Sequence, residues 1–211
     1  MADELVFYTN PRSRGRIVRW MLEEIGQPYR TEVLDYGTTM KAPAYLAINP
    51  MGKVPALRHG DAVVTETAAI CAYLADAFPQ AKLAPPGDRL RAPYYRWLFF
   101  IAGPVEAAVS NKALGVVVPK ERERMMGYGN FQLVMDTLEK ALSRGDYLVG
   151  SSFTAADLYV GSALGFGMMF GGIEKRPVFE RYCQRLFDRP ASKRARELDD
   201  ALVGQQKMAA G

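Results

Sequence analysis

Asn49-Pro50-Met51-Gly52-Lys53-Val54-Pro55-Ala56-Leu57, followed shortly by Thr65-Glu66-Thr67-Ala68-Ala69-Ile70, decides how this chain folds. A proline stands just before a short apolar strand at Ala56-Leu57. His59-Gly60-Asp61 supplies a turn, and Ala62-Val63-Val64 returns as a second strand. Thr65 is placed to N-cap a helix whose first residues are Glu66 and Thr67, running to about Ala77. A helix start offers free N–H groups and a positive dipole end to a carboxylate, with the Thr67 hydroxyl beside them. The Glu66 side chain suits an ammonium. Upstream, Val54-Pro55 exposes backbone groups to an extended peptide, because proline removes a ladder donor. Together these features describe a site for a small zwitterionic peptide.

Working outward toward the N-terminus, Leu5-Val6-Phe7-Tyr8 reads as a buried strand. Pro11 and Ser13 open a helix with Ile17, Val18, Met21, Leu22 and Ile25 on one face, and Gly26 stops it. Tyr29–Leu34 is a second strand, and Pro43-Ala44-Tyr45-Leu46 a single helical turn within residues 35–48. The order β-α-β-α-β-β-α predicts a small mixed α/β sheet covered by helices, thioredoxin-like in type, over residues 1–78. Residues 79–87, rich in proline and ending in glycine, form a linker. Beyond it strand signals vanish, so residues 88–211 make an all-α C-terminal helical domain.

In that second domain Arg89–Val109 is apolar on all sides, as a buried helix would be. Glu121–Leu142, 178–187 and 190–202 follow as further helical patterns. Phe153-Thr154-Ala155-Ala156-Asp157-Leu158 is a capping box: Thr154 is the N-cap, Asp157 the third helical residue, and Phe153 with Leu158 a hydrophobic staple. The uncharged run Leu158–Ile173 falls short of the ~20 residues a bilayer requires. Its glycines, Gly161, Gly165, Gly167 and Gly171, either permit close helix packing or leave room for a ligand.

Composition narrows the function classes. Hydrophobic residues at 49% and charged ones at 24% describe a water-soluble globular protein. A net charge of +4, with both signs interspersed, implies neither a nucleic-acid nor a membrane partner. The acidic start Met1-Ala2-Asp3-Glu4 has no secretory pattern, and two distant cysteines, Cys71 and Cys183, suit a reducing cytoplasm. One histidine, His59, excludes a zinc cluster and a histidine-based triad, so no metal is expected.

The pattern N-P-x-G-x-V-P-x-L with the T-E-T-x-A-I helix start resembles the glutathione-binding half of the cytosolic glutathione S-transferases, and the order and lengths of the elements match that family over nearly the whole chain. The resemblance implies a cis Pro55. It implies a Val54 backbone paired with the cysteinyl part of glutathione, and Glu66 and Thr67 holding its γ-glutamyl end. It places a thiolate-activating group where the first strand meets the first helix, in Tyr8-Thr9-Asn10-Pro11-Arg12-Ser13-Arg14. Ser13, two residues after the proline, matches the serine-type members, with Tyr8, Asn10 and Thr9 as runners-up. Cysteine-type members carry sulfur where this chain has Arg14, which instead adds positive charge beside the substrate sulfur. Lys53 is placed to meet the glycine carboxylate. Arg19 is expected on a solvated face.

Chemically, a thiol with pKa ~8.5 is only a few per cent ionised at pH 7. Lowering it by about two units takes roughly 3 kcal/mol, within reach of one hydrogen bond plus a helix N-terminus. The second substrate is expected to be an apolar electrophile on the helical-domain side, against Tyr94, Trp97, Phe166 and Met169. The expected activity is therefore a glutathione S-transferase acting in detoxification, with glutathione as co-substrate, cytoplasmic and homodimeric. Two rivals use the same scaffold: a glutathione-dependent disulfide reductase, isomerase or dehalogenase, and a non-enzymatic binding protein. A substrate panel separates the first; failure to bind glutathione resin marks the second.

Overall fold

The computed structural model describes residues 3–209. The chain divides into two units: residues through Lys82 together with those from Arg189 onward, and Leu83–Asp188.

The first unit holds β1 (Leu5–Thr9), α1 (Gly15–Ile25), β2 (Arg30–Val33), α2 (Pro43–Leu46), β3 (Ala56–His59), β4 (Ala62–Thr65) and α3 (Thr67–Ala77). The four strands lie in the order β2-β1-β3-β4. β1 is parallel to β2, while β3 is antiparallel to both β1 and β4. All five residues of β1 are buried, as a central strand covered on both faces requires. The strands at the two edges, β2 and β4, keep half-buried and exposed positions. On α1 the predicted stripe, Ile17, Val18, Met21, Leu22 and Ile25, is buried, and Gly26 closes the helix at φ 66° with its N–H bonded to Leu22 O at 3.1 Å.

In the first unit two helix starts differ from expectation. α1 begins at Gly15, after a turn, because Asn10 captures the intervening amides: Ser13 N–H reaches Asn10 O at 3.0 Å and Arg12 N–H reaches Asn10 Oδ1 at 3.0 Å. α3 begins at Thr67 with Glu66, not Thr65, as its N-cap. The C-terminal helix α9 (Pro190–Ala209) groups with the first unit, where residues 88–211 had been expected as one domain. A buried ion pair between Arg19 of α1 and Asp199 of α9 ties it there.

The second unit holds α4 (Asp88–Phe100), α5 (Glu106–Ala113), α6 (Phe131–Leu142), α7 (Ala155–Met169) and α8 (Pro177–Phe187). The single helix expected over Arg89–Val109 is α4 and α5 joined by a π-helical turn at Ile101–Val105. Pro104 lies inside that turn and lacks the N–H that a regular ladder would use. Likewise Glu121–Leu142 is a 3-10 turn (Lys120–Met125) followed by α6, which Asn130 caps by accepting Leu133 N–H at 2.9 Å. The glycines of α7 resolve in favour of packing: a Cβ at Gly161 or Gly165 would collide with Leu186 or Phe187 of α8.

The capping box at Thr154 is present and more extensive than the sequence suggested. Asp157 accepts from Thr154 N at 2.9 Å and Thr154 Oγ1 at 2.8 Å. It also accepts from Leu148 N at 2.7 Å and Tyr182 Oη at 2.7 Å. One buried carboxylate thus joins a loop, the start of α7 and α8. Among the described residues no helix is long and apolar enough to cross a membrane, and no cluster of metal-ligating side chains occurs. Cys71 and Cys183 are free and buried.

Candidate functional site

Strand register brings three separate segments to one end of the sheet. Ala56, the first residue of β3, pairs with Tyr8 on one side and Thr65 on the other. Because both pairings are antiparallel, the residues just before Ala56 lie beside those just after Tyr8 and just after Thr65. Val54-Pro55, the Thr9–Ser13 turn and Glu66-Thr67 are therefore neighbours, all within the first unit.

The Val54–Pro55 bond is cis. Val54 is half-buried and precedes the β3 ladder. Among the described residues neither its N–H nor its C=O has a hydrogen-bond partner. The loop leading into it is held from behind. Lys41 Nζ donates to Gly52 O at 2.7 Å and Met51 O at 3.3 Å. Tyr45 Oη and Asn49 Nδ2 both donate to Lys53 O, at 2.6 and 2.8 Å. Gly52 turns the chain at φ 55°, where a Cβ would come within 2.9 Å of both Met40 O and Lys41 Nζ. The Lys53 side chain is exposed.

At the start of α3, Glu66 is exposed and sits at φ 69°, ψ 123°, a conformation unfavourable for a residue with a Cβ. The first helical bond runs from Ile70 N to Glu66 O at 2.9 Å, and no side chain caps the helix. The amides of the first turn therefore face outward without helical partners, beside the Thr67 side chain, which is 7% exposed. This is a carboxylate-binding arrangement, with a carboxylate of its own at Glu66 for a neighbouring cation.

The β1–α1 turn separates the four hydroxyl and amide candidates. Tyr8 is 9% exposed and packs its ring against Tyr45 at 5.6 Å, in a cluster with Val6, Met40 and Ala56. Thr9 is fully buried. Asn10 is 3% exposed and has both ends of its amide engaged, Nδ2 on Leu34 O at 2.8 Å and Oδ1 with Arg12 N–H at 3.0 Å. Ser13 is half-buried; its Oγ donates to Asn10 O at 2.7 Å and accepts Gly15 N–H at 2.9 Å. Arg12 and Arg14 are exposed next to it.

Arg19 departs from its expected solvated face: it is 3% exposed and serves the core. Tyr94 and Trp97, expected along a substrate face, are 0% and 4% exposed and also belong to the core. Of that set, Phe166 is half-buried and stacks on Phe170 at 6.5 Å, and Met169 is exposed. Phe99 and Phe170 of the same helical unit are exposed as well. The clamping roles of Lys41, Tyr45 and Asn49 were missed. Asn49 stood inside the quoted motif, but nothing in the sequence says which carbonyl its amide meets.

Neither cysteine offers a reactive thiolate. Burial pushes both Cys71 and Cys183 up to about 12, far from a reactive thiolate. Burial likewise pushes the Tyr45 phenol up to about 12, so it remains an O–H donor. The assembled end of the sheet can clamp an extended peptide along its main chain, hold a carboxylate and an ammonium at α3, and present one hydroxyl at the α1 turn.

Residues 13–77 match the family described as Glutathione S-transferase, N-terminal domain, and residues 99–190 match Glutathione S-transferase, C-terminal domain. The chain is 30% identical to glutathione S-transferase F13 of Arabidopsis thaliana over 166 residues, 72% of this chain and 75% of that protein. It is 29% identical to glutathione S-transferase 1 of Dianthus caryophyllus over 136 residues, 60% of this chain and 62% of that relative's length. Among solved structures, it resembles a glutathione transferase homologue from Sulfitobacter with bound glutathione, at TM-score 0.75 and 26% identity, covering 92% of this chain and 97% of that one.

Proposed function

Because this chain belongs to the glutathione S-transferase family, we propose that it binds glutathione along Val54 and ionises its thiol for attack on an apolar electrophile. The observation that carries this reading is the unpartnered Val54 backbone lying beside the open amide end of α3. The cysteinyl main chain pairs with the Val54 N–H and C=O. The γ-glutamyl carboxylate takes the α3 amides and the Thr67 hydroxyl, and its ammonium faces Glu66. Pro55 shapes this wall, and Lys53 reaches the glycine carboxylate.

Ser13 donates the hydrogen bond that stabilises the thiolate in this account. Its hydroxyl now donates to Asn10 O. Rotation of the hydroxyl transfers the donation to sulfur, and Asn10 O keeps the Ser13 N–H as its partner. Gly15 N–H, donating into Ser13 Oγ, polarises the hydroxyl and strengthens it as a donor. Arg14 adds positive potential at the same turn. The thiol proton passes to solvent; the thiolate then displaces a leaving group, which departs as its anion, or adds to the electrophile with a proton returned from solvent, and the product is a thioether. The exposed Phe99 and Met169 and the half-buried Phe166 of the helical unit offer an apolar surface for an electrophile. Homodimerisation and a cytoplasmic setting are proposed on family grounds.

Calorimetric titration with glutathione at pH 7, followed by conjugation of an activated aryl halide, tests the proposal. Micromolar to low-millimolar binding and glutathione-dependent product formation are expected. No heat at millimolar glutathione would overturn it; binding with disulfide reduction but no conjugation would favour the reductase alternative.

A further inference from the structure

We propose that Tyr45 and Asn49 are positioning residues that fix the Lys53–Val54 peptide plane and thereby aim the Val54 N–H at the bound peptide. This rests on the proposed glutathione site and extends it to two residues that touch no substrate.

The geometry is specific. Lys53 O receives two side-chain donors, Tyr45 Oη at 2.6 Å and Asn49 Nδ2 at 2.8 Å. A carbonyl oxygen has two lone pairs, and here both are used. The Lys53–Val54 peptide is planar and trans, so its N–H points opposite to its C=O. Pinning the oxygen inward forces the Val54 N–H outward, to the side where no described residue accepts it.

The two donors are themselves fixed. Asn49 is 4% exposed and its Oδ1 accepts Met51 N–H at 3.1 Å, which dictates that Nδ2 faces Lys53 O. Tyr45 is 4% exposed with its ring against Tyr8. Its apolar cluster, Val6, Tyr8, Met40 and Ala56, needs only the ring. The hydroxyl reaches Lys53 O, so its distinct contribution is the orientation of that one peptide plane.

Tyr45→Phe keeps the ring and removes the donor; Asn49→Ala removes the other. The probes are glutathione and an analogue in which the cysteinyl carbonyl is reduced to a methylene. Tyr45→Phe is expected to weaken glutathione about tenfold by calorimetry, the effect of one misaligned hydrogen bond. It should change analogue binding less than twofold, because the analogue has no acceptor for the Val54 N–H. Asn49→Ala should show the same selectivity, which guards against a folding defect in either variant. Equal weakening of both ligands would assign the pair a merely structural role and overturn the inference, as would unchanged glutathione affinity in both variants. Absence of binding by the wild-type chain would instead bring down the glutathione site itself and this inference with it.

Discussion

Arg19 on α1 and Asp199 on α9 form an ion pair of 2.7 Å between side chains only 3% and 1% exposed. Arg19 also donates to Tyr29 Oη at 3.1 Å and Thr31 Oγ1 at 3.3 Å, and its guanidinium lies 5.2 Å from the centre of the Phe7 ring. A single charge on α1 thereby joins the central strand, an edge strand and the C-terminal helix, on the opposite face of β1 from Tyr8.

Removing one partner leaves a buried charge uncompensated. Asp199→Ala is expected to cost about 3–5 kcal/mol in urea unfolding, whereas the double variant Arg19→Met/Asp199→Leu should recover most of that loss. If the double variant were no more stable than the worse single one, the pair would be needed for more than charge compensation.

Ser13→Ala removes the proposed sulfur contact without touching Val54, Glu66 or Thr67. The thiol pKa of bound glutathione should return toward ~8.5, a rise of about two units, with the dissociation constant at low pH changed less than threefold. Thiolate absorbance in the binary complex, followed against pH, measures this. An unaltered titration would remove Ser13 from the mechanism and return Tyr8, Asn10 and Thr9 to consideration.

Glu66 holds a positive φ that glycine accepts without strain. Glu66→Gly and Glu66→Ala both delete the proposed ammonium partner, and each should weaken glutathione by tenfold or more. Their stabilities should differ: the glycine variant is expected to be about 1–2 kcal/mol more stable than the alanine variant by urea unfolding. Equal stability would show that the surrounding turn relaxes at no cost.

Alkaline pH should destabilise the fold through groups buried in neutral form. Cys71 and Cys183, ordinarily near 9, and Tyr29 and Tyr45, ordinarily near 10, are all raised by burial to about 12. A raised folded pKa means the folded state holds its proton more tightly. The stabilisation is complete below about 9 and is lost as pH climbs from there toward 12. Urea unfolding from pH 8 to 11 should trace this decline. In native protein at pH 8 both thiols should resist alkylation, reacting only on unfolding; rapid labelling of Cys71 would contradict its burial.

The sequence was legible wherever chemistry is local. Pro55 and Gly52 punctuate one loop, Ile17 to Ile25 repeat at helical spacing, and Thr154 with Asp157 lie three residues apart, so pattern alone located them. Helix starts were harder. Asn10 outcompeted the helix for the amides of residues 12 and 13, and Glu66 took a backbone conformation that propensity disfavours. Both overrides arise where the site is built.

The sequence by itself determined the order of strands and helices through α3 and the candidate residues Val54, Pro55, Glu66, Thr67 and Ser13, because each depends on neighbours a few positions away. Only the tertiary structure decided that Arg19 is interior, that Tyr94 and Trp97 are core, and that Tyr45 and Asn49 share the Lys53 carbonyl. Burial and hydrogen-bond partnership are set by what other segments bring to the same place, and that follows from strand register and helix packing across the chain.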